Sequence, residues 1–327
     1  MPKMSSEPAA LHTRSTLHGP AMGTRWSASI DAADTVDMMA LQRDLAAAVE
    51  QVDAQMSPWK PDSDLVRLNR APVGDWVVVP AEMLAALDCA LEVHRQSAGA
   101  FNPCVGALVD AWGFGALRDA PDAQAIRAAR QFTPASAHEC LELDGPAGRA
   151  RKLTPLQLDL CGIAKGYAVD RMAQVLRAHG VRHALAALDG ELRAVGGQAG
   201  GAPWAVALER PVAGRREVHG VIELEDLAVA TSGDYRRFVQ AGEVRLAHTM
   251  DASRCAPVNN AVASVTVLAR SCMLADAWAT ALLVAGPEKG LLMAQRMGMD
   301  VLFLMRRAGG LTEIGLGRFA LAADRPG

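Results

Sequence analysis

Apolar residues return at helical spacing over residues 35–56, where Met, Leu, Ala and Val recur every three or four positions until Pro58 and Pro61 stop the run. A second amphipathic helix is predicted over residues 81–97 (AEMLAALDCALEVHRQS), closed by Gly99, and a short one over DAQAIRAARQ. Residues 152–160 read as a strand that feeds a helix over 163–179. Alternating or continuous apolar runs predict strands at GTRWSASID, HALAAL, WAVALER, GVIELED, LAVATS, EVRLAHTM and DVLFLM, with ASVTVLAR the clearest. CMLADAWATALLVAG is apolar on every side, so it reads as a buried helix ending at Gly286; PEKGLLMAQRMG follows as another, and a hairpin closes the chain.

Strands and helices are mixed without regular βαβ alternation, which predicts an α+β fold. It forms one compact unit with mixed sheets and flanking helices, either as a single body or as two lobes. Residues 1–20 are set apart as a flexible N-terminal extension, 21–320 as the domain and 321–327 as a C-terminal tail. A chain of 327 residues, half of them hydrophobic, has enough material for a large core.

Net charge is −3, no long basic run occurs and aromatics make up 4% of residues, so the footprint of a nucleic-acid binder is missing. Six cysteines stand without a C-x-x-C pair or a histidine cluster, which predicts free thiols rather than a zinc site or a disulfide framework. The N-terminal MPKMSSEPAALHTRSTLHGPAMGT has no apolar core of signal-peptide length, and no run of apolar residues is long enough to span a bilayer. The expectation is a soluble cytoplasmic protein without a membrane partner, or a periplasmic one if the true start lies upstream.

Chemistry concentrates in LDLCGIAKGYAVD, residues 158–170. Asp159 closes the predicted strand, and Gly162 and Gly166 leave bare backbone where the helix begins. Lys165 adds a cation to a first turn whose unpaired N–H groups already favour anions. The segment reads as a phosphate cradle without Walker A spacing, or as an ordinary strand-to-helix turn with a surface lysine. In ADAWATALLVAG, Asp276 and Thr280 are four residues apart and share one helix face. A carboxylate and a hydroxyl there suit Mg²⁺; equally, Asp276 can cap a helix start and Thr280 can bond back to its own helix. Thr231, Ser232 and Gly233 in AVATSGDYRRF read as a tight polar turn. His248 precedes Asp251 in HTMDASRCAPV, either as an acid–base group or as a structural pair. SPWKPDSDLVRLNRAP, with Trp59, Ser63, Asp64 and Asn69, reads as a pocket rim or a loop, and the apolar FNPCVGALVDAWGFG as pocket lining.

Taken in order along the chain, AMGT, MSPWKPDSDLVRLN, GAFNPCVGALVDAWGFG, DLCGIAKGYAVDR, TSGDY and ADAWATAL resemble the motifs of the ApbE family of flavin transferases. The resemblance implies Mg²⁺-dependent transfer of the FMN moiety of FAD to a Thr or Ser hydroxyl of an acceptor flavoprotein, with release of AMP. It further implies that the FAD site lies between lobes of an ApbE-like fold. Met22 and Trp59 would line the flavin-ring site, and Ala100, Phe101 and Asn102 would contact FAD. Asp159 would bind FAD, Lys165 would reach its diphosphate, and Thr231, Ser232 and Met250 would complete the FAD contacts. The carbonyl of Gly162, with Asp276 and Thr280, would hold Mg²⁺. His248 with Asp251 would supply acid–base catalysis.

Some positions depart from the family's pattern. H-x-x-D-P-x-T-G-x-P reads HTMDASRCAP here, with Ala252, Arg254 and Cys255 in place of proline, threonine and glycine. N-L-G-G-D reads ALDGE, with Asp189 at the first glycine; Asn102 replaces an aspartate and Ala107 a proline. These changes bear on target choice and transfer rate. They leave two alternatives: an FAD pyrophosphatase that yields FMN and AMP with water as acceptor, and a non-catalytic FAD-binding protein.

Overall fold

Strand β1 (Thr13–Ala21) pairs antiparallel with β2 (Thr24–Ala32) through a two-residue turn, Met22–Gly23, whose φ angles are 46° and 72°. Two positive φ values in a two-residue loop match the right-handed twist of the strands, and the glycine takes its share without strain. The computed structural model describes residues 13–32, 35–131, 133, 136–212, 214–235, 238–241, 244–307 and 310–320. Residues 13–20, expected to be part of an extension, are therefore sheet. Residues 1–12 and the tail 321–327 lie outside the described residues.

The chain continues through α1 (Met38–Met56), α2 (Asp64–Arg70), β3 (Val77–Val78), α3 (Ala81–Gln96), α4 (Gly106–Ala111) and α5 (Ala123–Gln131). Then come β4 (Leu141–Asp144), β5 (Arg149–Lys152), α6 (Ala164–Ala178), β6 (Ala184–Leu188), β7 (Glu191–Val195), β8 (Trp204–Glu209), β9 (Val218–Leu224) and β10 (Ala228–Gly233). The last third holds β11 (Phe238–Ala241), β12 (Val244–Ala247), β13 (Met250–Asp251), β14 (Ala256–Pro257), β15 (Val262–Ala269), α7 (Cys272–Arg296), β16 (Asp300–Arg307) and β17 (Gly310–Leu316).

Eight strands form the main sheet in the order β1-β2-β6-β7-β10-β15-β16-β17, antiparallel at each step. One face is lined by Ile30, Ala186, Ala230, Val265, Val267 and Phe303, and packs on α1, α3, α6 and α7 in a single buried cluster. The small side chains of β6 and β10 let the helices lie close to the sheet. The opposite face presents Ala194, Val229 and Leu268 to Trp204, Val206 and Leu224 of the β8–β9 hairpin. This is the predicted α+β architecture.

Three local expectations are corrected. The strand predicted over 152–160 ends at Lys152; residues beyond it run extended but outside any sheet. Their backbone bonds go elsewhere. Asn69 clamps Leu158 with both amide atoms (3.0 and 2.7 Å), the Asp159 amide donates to the Pro103 carbonyl (2.8 Å), and the Gln157 carbonyl accepts from the Gly106 amide (3.0 Å). Thr231, Ser232 and Gly233 are not a turn but the end of β10, paired to Thr266, Val265 and Ser264 of β15. The stretch around Asn69 is α2, a seven-residue helix whose N-terminus is capped by Ser63 through the Val66 amide.

The two helices predicted around Gly286 are both present: the run labelled α7 is broken at Gly286 by a non-helical φ of 75° and ψ of 179°. Among the described residues no helix is long and apolar enough to cross a membrane, and the six cysteines are free thiols.

Candidate active site

A cavity of about 1010 Å³ opens where the N-terminus of α6, the middle of α7, the ends of β7 and β10, and the β8 hairpin meet. Of the residues singled out from the sequence, Met22, Trp59, Ala100, Phe101, Asn102, Asp159, Gly162, Lys165, Thr231, Ser232, His248, Met250, Asp276 and Thr280 all line it.

The centre is built from α6 and α7. Helix α6 begins at Ala164, and the Gly166 amide in its first turn donates to Asp276 Oδ2 at 3.0 Å. Asp276 therefore does not cap its own helix; it sits on the positive end of another. One turn further along α7, Thr280 Oγ1 lies 3.0 Å from Ser232 Oγ, so its hydroxyl turns toward β10. A Cβ built on Gly162 would stand 3.1 Å from Thr280 Oγ1 and 3.2 Å from the Phe101 ring. The Gly162 backbone, the Thr280 hydroxyl and the Phe101 ring thus meet at one point. Neighbouring Thr231 points to the other face of the sheet and bonds Thr266 Oγ1 at 2.9 Å.

Gly166 has no room for a side chain. A Cβ there would collide with the Cys272 carbonyl and stand 2.8 Å from Asp276 Cβ. Gly166→Ala is expected to force α6 and α7 apart at a cost of about 2–3 kcal/mol, measurable as a lowered urea midpoint, and to displace the amide that Asp276 accepts.

Lys165 Nζ bonds Glu191 Oε1 at 2.8 Å and approaches Asp189 Oδ2 at 3.6 Å. Burial alone would depress its ammonium. Glu191, Asp276 and Asp189 together more than offset that and hold it above the ordinary lysine value. Asp276 is 3% exposed. Burial first, then the charge of Glu191, lift its carboxyl to about 7, with Lys165 and the Gly166 amide pulling the other way. Asp159 is likewise raised by burial, against the Cys161 amide that donates to Oδ1 at 2.7 Å.

These residues fit a hard divalent cation. Three carboxylates, Asp276, Glu191 and Asp189, surround one ammonium, Lys165. Two of these carboxylates, Asp276 and Glu191, are buried, which is costly for charged groups without a cation beside them. Beside it stand the oxygens Mg²⁺ prefers: a carboxylate, the Thr280 and Ser232 hydroxyls, and the adjacent backbone of Gly162.

The cavity-lining loop at residues 100–102 is held by a histidine that sequence reasoning passed over. His94, 4% exposed in the last turn of α3, lies 2.8 Å through Nδ1 from the Phe101 carbonyl and accepts the Ala137 amide on Nε2 at 3.1 Å. The amide fixes the tautomer: Nδ1 carries the proton and donates to Phe101, and the ring is neutral. Burial is the main cause that lowers its proton affinity, and His138, 5.5 Å away ring to ring, adds to it. Because the folded value is depressed, the stability His94 confers is complete above the unfolded value near 6.5 and is lost as pH falls below it. Urea unfolding between pH 5 and 8 is expected to show this acid limb in the wild type and to lose it in His94→Gln.

His248 lines the cavity, with its ring edge-on to Phe114 at 6.5 Å between centroids. Asp251, expected beside it as a catalytic partner, does not line the cavity. Its Oδ1 accepts from Ser253 N (2.9 Å), Ser253 Oγ (2.6 Å) and Arg254 N (3.3 Å), so the carboxylate closes the β13–β14 turn. Its catalytic assignment is replaced by a structural one.

Two further residues carry the site; both lie within sequence motifs but were given no role there. Glu191 opens β7 and anchors Lys165. Asp170, in α6, accepts Cys272 N (2.9 Å), Met273 N (3.0 Å) and Ser271 Oγ (2.7 Å) and pairs with Arg193, fixing the start of α7.

The chain matches the ApbE family model over residues 22–303. It is 36% identical over 301 residues to a Vibrio cholerae protein named FAD:protein FMN transferase, covering 91% of this chain and 89% of the relative. A protein of the same name from Treponema pallidum is 35% identical over 270 residues, covering 78% and 74%. The flavin transferase ApbE from Vibrio cholerae superposes with a TM-score of 0.86 at 35% identity, covering 94% of this chain and 98% of that one. The apo form of the Pseudomonas stutzeri flavinyl transferase ApbE superposes with a TM-score of 0.83 at 34% identity, covering 93% and 95%. With a family model over most of its length and relatives above 30% identity across 91% of it, the chain belongs to the ApbE family.

Proposed function

We propose that this protein transfers the FMN moiety of FAD to an acceptor protein, as the names of its relatives suggest, with a Ser or Thr hydroxyl as the acceptor group and AMP as the leaving group. One observation carries the reading. Lys165 in the first turn of α6 and Asp276 of α7 face the same cavity, which also runs to Met22, Trp59 and Phe101. An apolar, aromatic end suits a flavin ring, and a lysine beside a helix N-terminus suits a diphosphate.

The residues divide the work by chemistry. Met22, Trp59 and Phe101 bind and orient the ring, and Lys165, with the α6 N-terminus, neutralises the phosphates. Asp276, Thr280 and the Gly162 carbonyl would hold Mg²⁺, which when bound supplies charge stabilisation to the diphosphate and the departing phosphate. The acceptor hydroxyl oxygen forms a bond to the FMN phosphorus as the phosphoanhydride bond to AMP breaks. The hydroxyl proton passes to a base, for which His248 is the cavity's candidate. Catalysis is mainly positioning and charge stabilisation, as in other phosphoryl transfers.

Incubation of the protein with FAD, Mg²⁺ and a candidate acceptor, followed by intact-mass spectrometry, is the test. The acceptor should gain the mass of an FMN phosphoester in step with AMP release. Free FMN and AMP without an acceptor would assign water as the nucleophile. FAD retained without turnover would assign binding alone.

A further inference from the structure

The β6–β7 turn is one place where this chain departs from its family's pattern inside the cavity. Leu188 pairs with Glu191, and Asp189 and Gly190 make the turn between them. Glu191 is committed: Oε1 takes Lys165 Nζ at 2.8 Å, Oε2 takes the Gly190 amide at 3.1 Å, and its side chain is 3% exposed. Asp189 stands at φ 61°, at the position where the family's N-L-G-G-D has a glycine; Asp-Gly suits a two-residue hairpin turn, so the turn itself accommodates it. Its carboxylate is 36% exposed, lines the cavity and lies 3.6 Å from Lys165 Nζ. A carboxylate brought this close to the cavity's lysine, where the family has no side chain, motivates a functional reading.

Charge bookkeeping gives that reading its content. Lys165 faces Glu191, Asp189 and Asp276. Whatever the protonation of Asp276, Asp189 adds one negative charge beside Lys165 on the floor of the cavity that a glycine at 189 would not. The diphosphate of FAD brings two more negative charges. We infer that Asp189 makes FAD uptake conditional on a divalent cation: it repels the bare diphosphate and engages part of Lys165, and the repulsion disappears once the metal neutralises the floor. By linkage, FAD raises the affinity for the cation by the same factor. Asp189 is thus a specificity residue for the metal–FAD complex over free FAD. This rests on the flavin-transfer reading of the site.

The test is titration of FAD by quenching of flavin fluorescence, in EDTA and in saturating Mg²⁺, for wild type, Asp189→Gly and Asp189→Asn. Calorimetric titration of Mg²⁺ alone is run alongside. Removing one like charge at close range should tighten FAD binding in EDTA by about tenfold in both variants and leave the Mg²⁺-saturated affinity within about twofold. The coupling factor therefore falls about tenfold. Mg²⁺ alone should bind more weakly to both variants. Asp189→Asn keeps the turn residue type and loses only the charge. If it retains the wild-type coupling factor, the inference is overturned, whether or not Asp189→Gly changes. Wild type that binds FAD equally well with and without Mg²⁺ also overturns it. Wild type that binds no FAD in either condition instead removes the flavin-site reading, so the two failures are distinguishable.

Discussion

Asp276→Asn is expected to abolish FMN transfer while making the metal-free protein more stable. The side chain keeps its shape and can still accept the Gly166 amide through its oxygen. What it loses is the charge, and with it the carboxylate proposed to hold Mg²⁺. Transfer should fall by at least about a thousandfold, the range seen when a central charge-stabilising group is lost, and added Mg²⁺ should not restore it. The stability effect has the opposite sign. Asp276 is buried, faces Glu191 and Asp189, and has its proton affinity raised to about 7. An acid whose folded value is raised contributes its stability below the unfolded value near 4 and loses it as pH climbs toward 7. The Asp276 contribution, read as the difference in unfolding free energy in EDTA between wild type and Asp276→Asn, should therefore decline across that window by up to a few kcal/mol, so that the variant unfolds later than wild type at pH 7. Excess Mg²⁺ should recover the wild type alone. A variant both inactive and less stable in EDTA at pH 7 would show that the carboxylate is held by native contacts stronger than its burial cost.

The contrast between this residue and its neighbours shows what a sequence can carry. Asp276 and Thr280 were legible because both sit on one face of a helix that is otherwise apolar, and the spacing alone places them together. Helices α1, α3 and α6 and strand β15 were legible for the same reason: the period of their buried residues is local information. The extended segment before α6 was misread as a strand because its hydrogen-bond partners are Asn69 and Pro103, far along the chain, and no local pattern records them. Thr231 to Gly233 read as a turn because small polar residues favour turns. In the structure they are strand because Thr266 on one face and Thr280 on the other supply polar partners. Asp251 read as catalytic from its spacing to His248, while its carboxylate is consumed by the turn that follows. His94, Glu191 and Asp170 act through partners seven to more than a hundred residues away, so although Glu191 and Asp170 lie in recognisable motifs, no local pattern reveals what they hold. The resemblance to a family named the binding positions. The packing explains why they converge.

Asp170→Ala should be the most damaging substitution outside the cavity. Helix α7 starts with Cys272 and Met273 amides that have no partner within their own helix. Asp170, 6% exposed on α6, accepts both, together with the Ser271 hydroxyl, and pairs with Arg193 from β7. One carboxylate thus ties together the three elements that carry Lys165, Glu191 and Asp276. Truncation leaves two amides, a hydroxyl and a mostly buried guanidinium without their acceptor. The expected loss is about 3–5 kcal/mol, the range for breaking a buried ion pair from one side, read as a lower urea midpoint. Asp276 lies barely one turn beyond this anchor and Thr280 little more than two, so a start that drifts carries both with it. In protein that remains folded at low temperature, Mg²⁺ affinity and transfer should therefore fall together. Asp170→Asn separates the two roles: its amide oxygen can still cap α7, but its NH₂ cannot satisfy Arg193. It should recover much of the Mg²⁺ affinity while remaining less stable than wild type. If Asp170→Ala lowers the midpoint yet leaves Mg²⁺ affinity and transfer unchanged, the anchor holds the fold without setting the geometry of the site.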